Sequence, residues 1–381
     1  RDQVVQCWST HKVKVILDMH GAPGAQSLGA EAGSTGSRGL WELPDVYRPQ
    51  LINAWLAIAG HYADSDAVLA YDLINEPVIE SGDPGVDGDV NGFLRSVYEE
   101  LIGAIRPVDD NHIFFVEGDS WGHPFTPILP LDDMTNVGYS YHQYWGSSAV
   151  PPEILDLQQS CNCPIWNGEW GENSNEWIIE AVLGMEQHGI GHAVWGWKKL
   201  RTTSPFMQYV EAPEHWNETR LAMRGEGPEP SADVARLGLL NLAESLHIDN
   251  CVFLHDLVQA VVEPNAYATQ SLPYRHNAIP GEILAGDYDL GIHTIAYQDG
   301  TDGPPNPVGH PESIQHTTGW GAWTYWNWGS LYRNGCVDLA WDATEQSPYV
   351  MGRAGEWIHY TVSALLGIAL FRKGVLSAER S

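Results

Sequence analysis

Basic residues are scarce in this chain of 381 residues. Lysine and arginine together number 19, against 49 aspartate and glutamate residues, and the formal net charge at pH 7 is −30. A protein with this excess of negative charge repels nucleic acids and anionic membranes, so we expect neither as a partner. A neutral ligand would be indifferent to the same charge.

Long hydrophobic runs are also missing. A membrane-spanning helix needs about 18 or more consecutive apolar residues, and the run TVSALLGIALF near the C-terminus ends at residue 371. No signal peptide is recognisable. The chain opens on RDQVVQCWST without a methionine, so we expect its natural beginning to lie further upstream.

Cysteine is rare, with 5 residues at no spacing typical of a zinc site. Cys161 and Cys163 in CNCP are separated by one residue, which disfavours a bridge between them. Pairing with other cysteines and ordinary buried thiols are both left open by the sequence.

Aromatic residues, in contrast, are abundant. The chain has 17 Trp and 16 Tyr, more than core packing needs, and 43% of its residues are hydrophobic, which is ample for packed cores. Flat aromatic rings stack on the C–H faces of sugars. The excess therefore indicates a carbohydrate ligand.

Six short apolar runs alternate with amphipathic segments up to about residue 200. Most of the runs are rich in β-branched or aromatic residues and lack strict alternation, which is typical of strands buried on both faces. The apolar spacing predicts helices between them, for example over 47–62 and 174–188. The runs are VKVILDM (13–19), VLAYDLI (68–74), HIFFVEG (112–118), NVGYSYH (136–142), CPIWNGE (163–169) and HAVWGWK (192–198).

Repeated strand–helix units predict an α/β fold with a parallel sheet. Six units suit a (β/α)8 TIM barrel whose first two strands are missing from this chain. A doubly wound open sheet is the alternative, and the lack of a Gly-rich phosphate loop after any strand disfavours it.

The rest of the chain has a different composition. Residues 202–230 are rich in Pro, Glu and Trp and predict a loop, and the following segment predicts helices that complete a first domain, 1–262. Residues 263–280 predict a linker. Beyond it, Gly, Asp, Tyr and Trp dominate, and short strand-like pieces predict a β-sandwich (jelly-roll) domain over 281–381.

Polar and aromatic side chains follow the predicted strands. In a parallel barrel the carboxyl ends of the strands meet at one mouth, where the chemistry takes place. Two carboxylates facing each other across such a mouth can cleave a glycosidic bond, and Glu76 and Glu169 are the candidates. The strand ends carry Asp18, His20, Asn75, Glu76, Glu117, His142, Tyr144, Glu169 and Trp195.

Each of these residues also has an ordinary structural interpretation. A single Glu after a strand is often a solvated loop residue or lies beside a helix N-terminus. Glu117 in VEGDSW has the same local pattern as the two candidates and is their main competitor. His20 and His142 could be core histidines or a metal pair, although no nearby Asp or His spacing supports a metal.

Five strings together resemble glycoside hydrolase family 5: VILDMHGAPGAQ, YDLINEPV, YSYHQYW, WNGEWGEN and HAVWGWKK. They occur in the family's order, each at a predicted strand end, and the resemblance covers about residues 4–262. It implies a retaining (β/α)8 enzyme that acts on β-glucans. The family also carries an Arg on an early strand, and this chain begins after that point, which favours a fragment of a longer protein.

The resemblance implies roles for the residues at the strand ends. Glu76, which follows Asn in NEP, would be the general acid/base, and Glu169 the nucleophile. Asn75 would bind the sugar 2-hydroxyl, and His142 and Tyr144 would flank the nucleophile. His20 would bind the sugar in the cleaved subsite, and Trp195 would form its stacking floor.

The loop HGAPGAQS resembles that of family members that cleave β-1,3-glucans, so we expect this substrate. A β-1,4-glucanase (cellulase) of the same family is the alternative, together with a catalytically impaired polysaccharide-binding protein. A metal-dependent hydrolase on the same barrel is a weaker third hypothesis. The substrate class implies an extracellular, secreted protein, and we expect a monomer.

The C-terminal segment resembles carbohydrate-binding module family 6 over about 278–362, through IPGEILAGDYDLGIHTIAYQDG, LYRNGCVDLAW and AGEWIHYTV. The resemblance implies a sugar-binding β-sandwich with a structural calcium ion. Leu284 and Gly286, however, replace the usual calcium-binding acids. These replacements disfavour the structural calcium ion of the C-terminal module. We expect no cofactor, and no metal in the catalytic domain.

Overall fold

The computed structural model describes most of the chain up to residue 298 and shorter stretches after it. The described residues are 2–122, 134–144, 147–200, 206–209, 213–298, 316–317, 323–324, 332–335, 337, 339–342, 344, 347–352 and 354–364. Most of the Trp-rich stretch before residue 331 lies outside these residues. The whole of the closing sequence LFRKGVLSAERS lies outside them as well.

The chain divides into two compact units, each of which is described by itself. The first comprises 1–144, 150–170 and 185–194, and the second comprises 145–149, 171–184 and 195–381. The predicted domain boundaries at 262 and 281 stay predictions.

The elements of the first part of the chain alternate between strand and helix. They are α1 (Asp2–Thr10), β1 (Val15–Asp18), α2 (Gly39–Glu42), α3 (Pro44–Tyr62), β2 (Val68–Asp72), α4 (Val90–Ile105), β3 (Ile113–Val116), α5 (Asp119–Gly122), β4 (Val137–Tyr144), α6 (Pro152–Cys161), β5 (Ile165–Gly171), α7 (Asn175–Gln187) and β6 (Gly191–Trp195). All six predicted strands and both predicted helices are confirmed.

The six strands form one sheet in sequence order, from β1 to β6. Strands β1 to β4 pair in parallel, with Leu17 opposite Tyr71 and Tyr71 opposite Phe114. Sequential parallel strands joined by helices are the arrangement of a (β/α)8 barrel, of which this sheet supplies six strands.

The strands lack alternating polar and apolar residues because both of their faces are buried. Tyr71 and Phe114 are fully buried and stack with their ring centroids 5.9 Å apart. Helix α4 begins at Asp89, whose side chain accepts a hydrogen bond from the backbone N–H of Gly92. Its buried residues recur at helical spacing and cover the sheet.

The second part of the chain contains shorter elements. They are β7 (Lys198–Leu200), β8 (Met207–Tyr209), α8 (Trp216–Met223), α9 (Ala232–Ser245), a 3₁₀ helix (Ile248–Asn250), β9 (Val252–Phe253), α10 (His255–Val262), α11 (Pro264–Thr269), β10 (Asn277–Ile279), β11 (Tyr297–Gln298), β12 (His316–Thr317), β13 (Trp323–Thr324), β14 (Leu339–Asp342), β15 (Ser347–Val350), β16 (Trp357–Ile358) and β17 (Val362–Ala364). None of the described helices combines the length and the apolar character that a membrane crossing demands.

Two details of the structure differ from the sequence predictions. The predicted loop over 202–230 contains α8, a helix in which Thr219 is the buried residue. A helix with almost no buried face shows no apolar periodicity, which is why the pattern missed it. Cys161 and Cys163, which their spacing disfavoured as partners, form a disulfide.

The described strands of the C-terminal segment form two-stranded pairs: β10 with β17, β11 with β16, β12 with β13 and β14 with β15. Tyr288, Tyr297 and Leu339 belong to a buried apolar cluster there. These pairs do not by themselves amount to two packed sheets, so the predicted β-sandwich stays a prediction.

Candidate active site

The sequence Asn-Glu-Pro begins three residues after the end of β2. Asn75 is 1% exposed, and the backbone of Glu76 has φ = +45°, in the left-handed region that residues with a side chain rarely occupy. Such strained positions persist only where surrounding contacts hold them, and they cluster at functional sites.

Glu169 lies on β5, and two side chains from β4 and one from just beyond β1 surround its carboxylate. The Tyr144 hydroxyl donates a hydrogen bond to Oε2 at 2.9 Å. His20 Nδ1 lies 3.5 Å from Oε1, and His142 Nδ1 lies 3.7 Å from Oε2. Hydrogen-bond donors and cations of this kind stabilise the ionised form of a carboxylate.

His142 on β4 joins the two candidate carboxylates. Its Nδ1 is 2.8 Å from Glu76 Oε1, and its side chain is almost fully buried. One oxygen of Glu76, one ring nitrogen of His142 and one oxygen of Glu169 all lie within 4.8 Å of one another. The tertiary structure therefore brings together the two glutamates that the strand-end pattern selected.

His20 lies just beyond β1 and is half-buried. Its Nδ1 contacts Asp18 Oδ2 at 2.9 Å as well as Glu169. The hydrogen bond to Asp18 raises the pKa of His20, and burial opposes that rise. The interpretation of His20 as a satisfied core histidine does not fit a ring that contacts a candidate catalytic carboxylate.

Glu117, the competitor of the two candidate glutamates, is fully buried at the end of β3. Its Oε2 accepts a hydrogen bond from the backbone N–H of Glu76 at 2.8 Å, and its Oε1 lies 3.3 Å from His142 Nε2. Sequence reasoning did not find this role, because VEGDSW looks locally the same as a strand end that faces the mouth.

Burial and charge act in opposite directions on the pKa values of the site. Burial raises the pKa of Glu169, whereas His142, the Tyr144 hydroxyl and His20 lower it, and the net direction is upward. Burial alone would lower the pKa of His142. The negative charge of Glu117, the hydrogen bond to Glu76 and the charge of Glu169 more than offset this and raise that pKa well above 6.5.

Trp195 ends β6, and its ring is 38% exposed. Lys199 Nζ lies 6.0 Å from the ring centroid. An accessible indole face is what a sugar-stacking floor requires, and the role of Trp195 stays a prediction. Trp197, two residues further along the chain, is 55% exposed.

The spacing of Glu76, His142 and Glu169 raises the question of a metal ion. The 2.8 Å separation of His142 Nδ1 and Glu76 Oε1 is a direct hydrogen bond. It is shorter than the separation of about 3.3 Å between two ligands that each lie about 2.0 Å from a zinc ion. The expected absence of a metal and of a cofactor stays a prediction.

Comparison with known proteins identifies the family. The family described as Cellulase (glycosyl hydrolase family 5) matches residues 1–200. This chain belongs to glycosyl hydrolase family 5. The predicted enzyme class and the predicted barrel fold are thereby confirmed, whereas the resemblance to carbohydrate-binding module family 6 and the missing first strands stay predictions.

Curated relatives carry several glycosidase names. A "Beta-xylosidase" of Phanerodontia chrysosporium is 27% identical over 195 residues, which cover 45% of this chain and 38% of that protein. A "Probable glucan 1,3-beta-glucosidase A" of Aspergillus niger is 38% identical over 124 residues, which cover 32% of this chain and 28% of that protein. The chain thus spans less than two fifths of the length of these relatives.

Among solved structures, the endoglucanase Cel5A of Thermotoga maritima matches with a TM-score of 0.40 and 17% sequence identity, covering 51% of this chain and 68% of that chain. An endo-glycoceramidase II of Rhodococcus, solved as a lactosyl-enzyme intermediate, matches with a TM-score of 0.40 and 19% identity, covering 51% of this chain and 58% of that chain.

Proposed function

We propose that this chain carries the active site of a retaining glycoside hydrolase that cleaves β-glucan by double displacement. The observation that carries the proposal is the approach of Glu76 and Glu169, with one oxygen of each within 4.8 Å of the other. Retaining enzymes hold their two carboxyl groups about 5–5.5 Å apart, whereas inverting enzymes need about 6.5–9.5 Å to admit a water molecule.

In the first step, an oxygen of Glu169 attacks the anomeric carbon while the bond to the leaving oxygen breaks. Glu76 transfers its proton to that oxygen. In the second step, Glu76 removes a proton from water, the water oxygen attacks the anomeric carbon, and the bond to Glu169 breaks. The two inversions restore the original configuration.

The direction of the Glu169 pKa shift favours the opposite assignment, because an acid needs a raised pKa. We nevertheless assign Glu169 as the nucleophile. Its carboxylate is surrounded by the Tyr144 hydroxyl and two histidines, and the positive charge that develops on the sugar during reaction further favours its ionised form.

Asn75 supports the binding of a sugar hydroxyl. Its buried side-chain nitrogen has no hydrogen-bond acceptor within the part of the chain that the structure describes. A buried N–H group without an acceptor destabilises the folded state, and a substrate hydroxyl would supply one. We assign the same binding function to His20, and sugar stacking to Trp195.

We place β-1,3-glucan first as the substrate, in keeping with the HGAPGAQS loop and the names of several relatives. A β-1,4-glucan is second, because an "Endoglucanase C" of Acetivibrio thermocellus is 19% identical over 263 residues, which cover 52% of this chain and 72% of that protein. A polysaccharide substrate also supports secretion, and both secretion and a monomeric state stay proposals.

The direct test measures reducing-sugar release from a soluble β-1,3-glucan and from a β-1,4-glucan. We expect release from the first, and a loss of about 10²–10⁴-fold in Glu76→Gln because that variant lacks general acid–base catalysis. Binding of either glucan without release would instead support a catalytically impaired polysaccharide-binding protein.

The assignment of the two roles has its own test. Azide added to Glu76→Ala should attack the glycosyl-enzyme and give a glycosyl azide of retained configuration. Azide added to Glu169→Ala should occupy the space of the missing carboxylate and give the inverted product. The reverse pattern, read by NMR of the products, would exchange the roles of the two glutamates.

A further inference from the structure

Glu117 is held rigidly beneath the candidate active site. Its side chain is fully buried. Its backbone N–H donates to the Tyr98 hydroxyl at 3.1 Å, and that hydroxyl donates to the Glu117 carbonyl at 3.0 Å. Gly122, at φ = +82°, passes so close that a Cβ there would lie 3.2 Å from Glu117 Oε2. These contacts therefore restrict the Glu117 carboxylate to a single position.

The segment that begins at Glu117 is hydrogen-bonded repeatedly to the segment that follows Glu76. Glu117 Oε2 accepts from the Glu76 backbone N–H at 2.8 Å, and Asp119 Oδ1 accepts from the Ile79 backbone N–H at 2.8 Å. The Trp121 backbone N–H donates to the Pro77 carbonyl at 3.4 Å. These bonds hold Glu76 in its left-handed backbone conformation.

Glu117 also contacts the far side of His142. The imidazole lies between two carboxylates, with Nε2 3.3 Å from Glu117 Oε1 and Nδ1 2.8 Å from Glu76 Oε1. A carboxylate on one nitrogen of a histidine determines the protonation state and orientation that the ring presents through the other nitrogen. Among the described residues, the titratable groups that interact with this ring include Glu76 and Asp72 from β2 and its loop, Glu117 after β3 and Glu169 on β5.

We propose that Glu117 is a positioning residue for the acid/base, which it serves by holding the backbone of Glu76 and by keeping a proton on both nitrogens of His142. This inference rests on the proposed function of Glu76. Glu117 itself does not touch the substrate, because its side chain is fully buried.

The arrangement has a consequence for the first chemical step. When Glu76 gives its proton to the leaving oxygen, it becomes a carboxylate beside His142. A doubly protonated imidazole donates from Nδ1 to that new carboxylate and stabilises it, and the negative Glu117 balances the imidazole charge in the buried site. Burial raises the pKa of Glu117 and His142 limits that rise, which is consistent with an ion pair at neutral pH.

The first experiment compares Glu117→Gln with the wild-type chain on two aryl β-glycosides of the same oligosaccharide. A phenyl leaving group needs protonation, whereas a 2,4-dinitrophenyl leaving group does not. We expect kcat/KM to fall about 10–100-fold for the phenyl substrate and to stay within about threefold for the dinitrophenyl substrate. Equal losses on both substrates, or no loss on either, would overturn the proposal.

Asp109→Asn is the matched control. Asp109 is a buried carboxylate that contacts a histidine, with Oδ2 2.6 Å from His112 Nδ1, and it also accepts from the Tyr71 hydroxyl at 2.7 Å. It precedes β3, whereas Glu117 follows that strand. We expect this variant to lose thermal stability and to change kcat/KM for both substrates by the same factor.

A second measurement does not depend on activity. In protein labelled with ¹⁵N-histidine, the ring signals of His142, identified by their loss in His142→Gln, should report two protonated nitrogens at pH 7. The titration midpoint should fall in Glu117→Gln, because a negative charge next to the ring is removed. A neutral His142 ring in the wild-type chain would overturn the proposal even if Glu117→Gln did not fold.

The two proposals fail in distinguishable ways. A wild-type chain that cleaves neither substrate would contradict the proposed function, and the NMR titration would still decide whether Glu117 controls His142. A wild-type chain that cleaves both substrates, with unchanged selectivity in Glu117→Gln, would contradict the role of Glu117 alone.

Discussion

At the scale of single residues, the site depends on how hydrogen bonds counteract burial. Glu169 is largely buried, and burial alone disfavours its ionised form. The Tyr144 hydroxyl donates to the same carboxylate. The neighbours of Glu169 therefore stabilise the negative charge that burial opposes, as the proposed nucleophile requires.

Tyr144→Phe tests this balance. A hydrogen bond to a charged group contributes about 1.5–3 kcal/mol, so kcat/KM should fall about 10–100-fold. The hydroxyl lowers the pKa of Glu169, and its removal should raise that pKa. The acidic limb of the pH–rate profile should then move to higher pH, because a larger fraction of Glu169 is protonated and inactive at any given acidic pH.

Tyr71→Phe is the control for Tyr144→Phe. It removes a hydroxyl that donates to the Asp109 carboxylate at 2.7 Å, a bond of similar length outside the site. This variant should lower the thermal midpoint and leave the pH profile where it is. A pH profile of Tyr144→Phe that coincides with that of the wild type would show that the hydroxyl does not stabilise ionised Glu169.

At the scale of elements, Glu76 lies in the long connection between β2 and α4. This connection is hydrogen-bonded to the segment that precedes α2. Arg38 donates two hydrogen bonds to Asp83, at 2.8 and 3.0 Å, and a third to the Val78 carbonyl at 3.2 Å. The side chains of Arg38 and Asp83 are almost fully buried. A buried, bidentate pair of this kind fixes the course of a segment that has no regular secondary structure of its own.

Arg38→Met should lower the free energy of unfolding by about 3–5 kcal/mol, because it leaves the buried Asp83 carboxylate without its cation. Asp83→Leu should lower it by less, because Glu80 Oε2 still lies 3.3 Å from Arg38 Nη2. The double variant should lose less than the sum of the two, since it leaves neither charge behind. Denaturant titration of all three variants measures the interaction. Strictly additive losses would show that the two side chains do not stabilise each other.

Glu99→Gln provides the contrast for the buried pair. Arg95 and Glu99 form an exposed pair one helical turn apart, with Arg95 Nε 2.8 Å from Glu99 Oε1. Exposed pairs at this spacing contribute about 0.3–0.5 kcal/mol, so this variant should change stability within that range.

At the scale of the whole molecule, the dominant property is charge. With 49 acidic and 19 basic residues, the chain carries a net charge of −30 at pH 7. Self-repulsion of this size keeps a protein soluble and destabilises its folded state, and salt screens it. A neutral polysaccharide would be bound without interference from this charge.

Raising NaCl from about 0.01 to 0.3 M at pH 7 should therefore raise the thermal midpoint by several degrees, because the Debye length falls from about 30 Å to below 8 Å. The same series at pH 5, where part of the acidic residues are protonated, should show a smaller rise. A midpoint that falls with salt at pH 7 would mean that favourable ion pairs outweigh the net repulsion.

Much of the structure of residues 1–200 could be predicted from the local pattern of apolar and polar residues. The six strands and helices α3 and α7 follow from apolar spacing, which is a local property of the chain. Glu76 and Glu169 could be selected because both follow strands whose carboxyl ends meet at one edge of a parallel sheet. Helix α8 escaped prediction, since Thr219 is its one buried residue and the apolar signal of the segment is therefore weak.

The succession of strands, the family strings and the two candidate carboxylates follow from local pattern. The choice between the acids at the strand ends needed the folded chain, in which Glu117 is buried against His142 and the Glu76 backbone, and in which Glu76 and Glu169 have oxygens within 4.8 Å of each other. These contacts join residues that are distant in the chain, since Glu117 lies 41 positions and His142 lies 66 positions from Glu76. Local pattern holds no information about contacts at that separation.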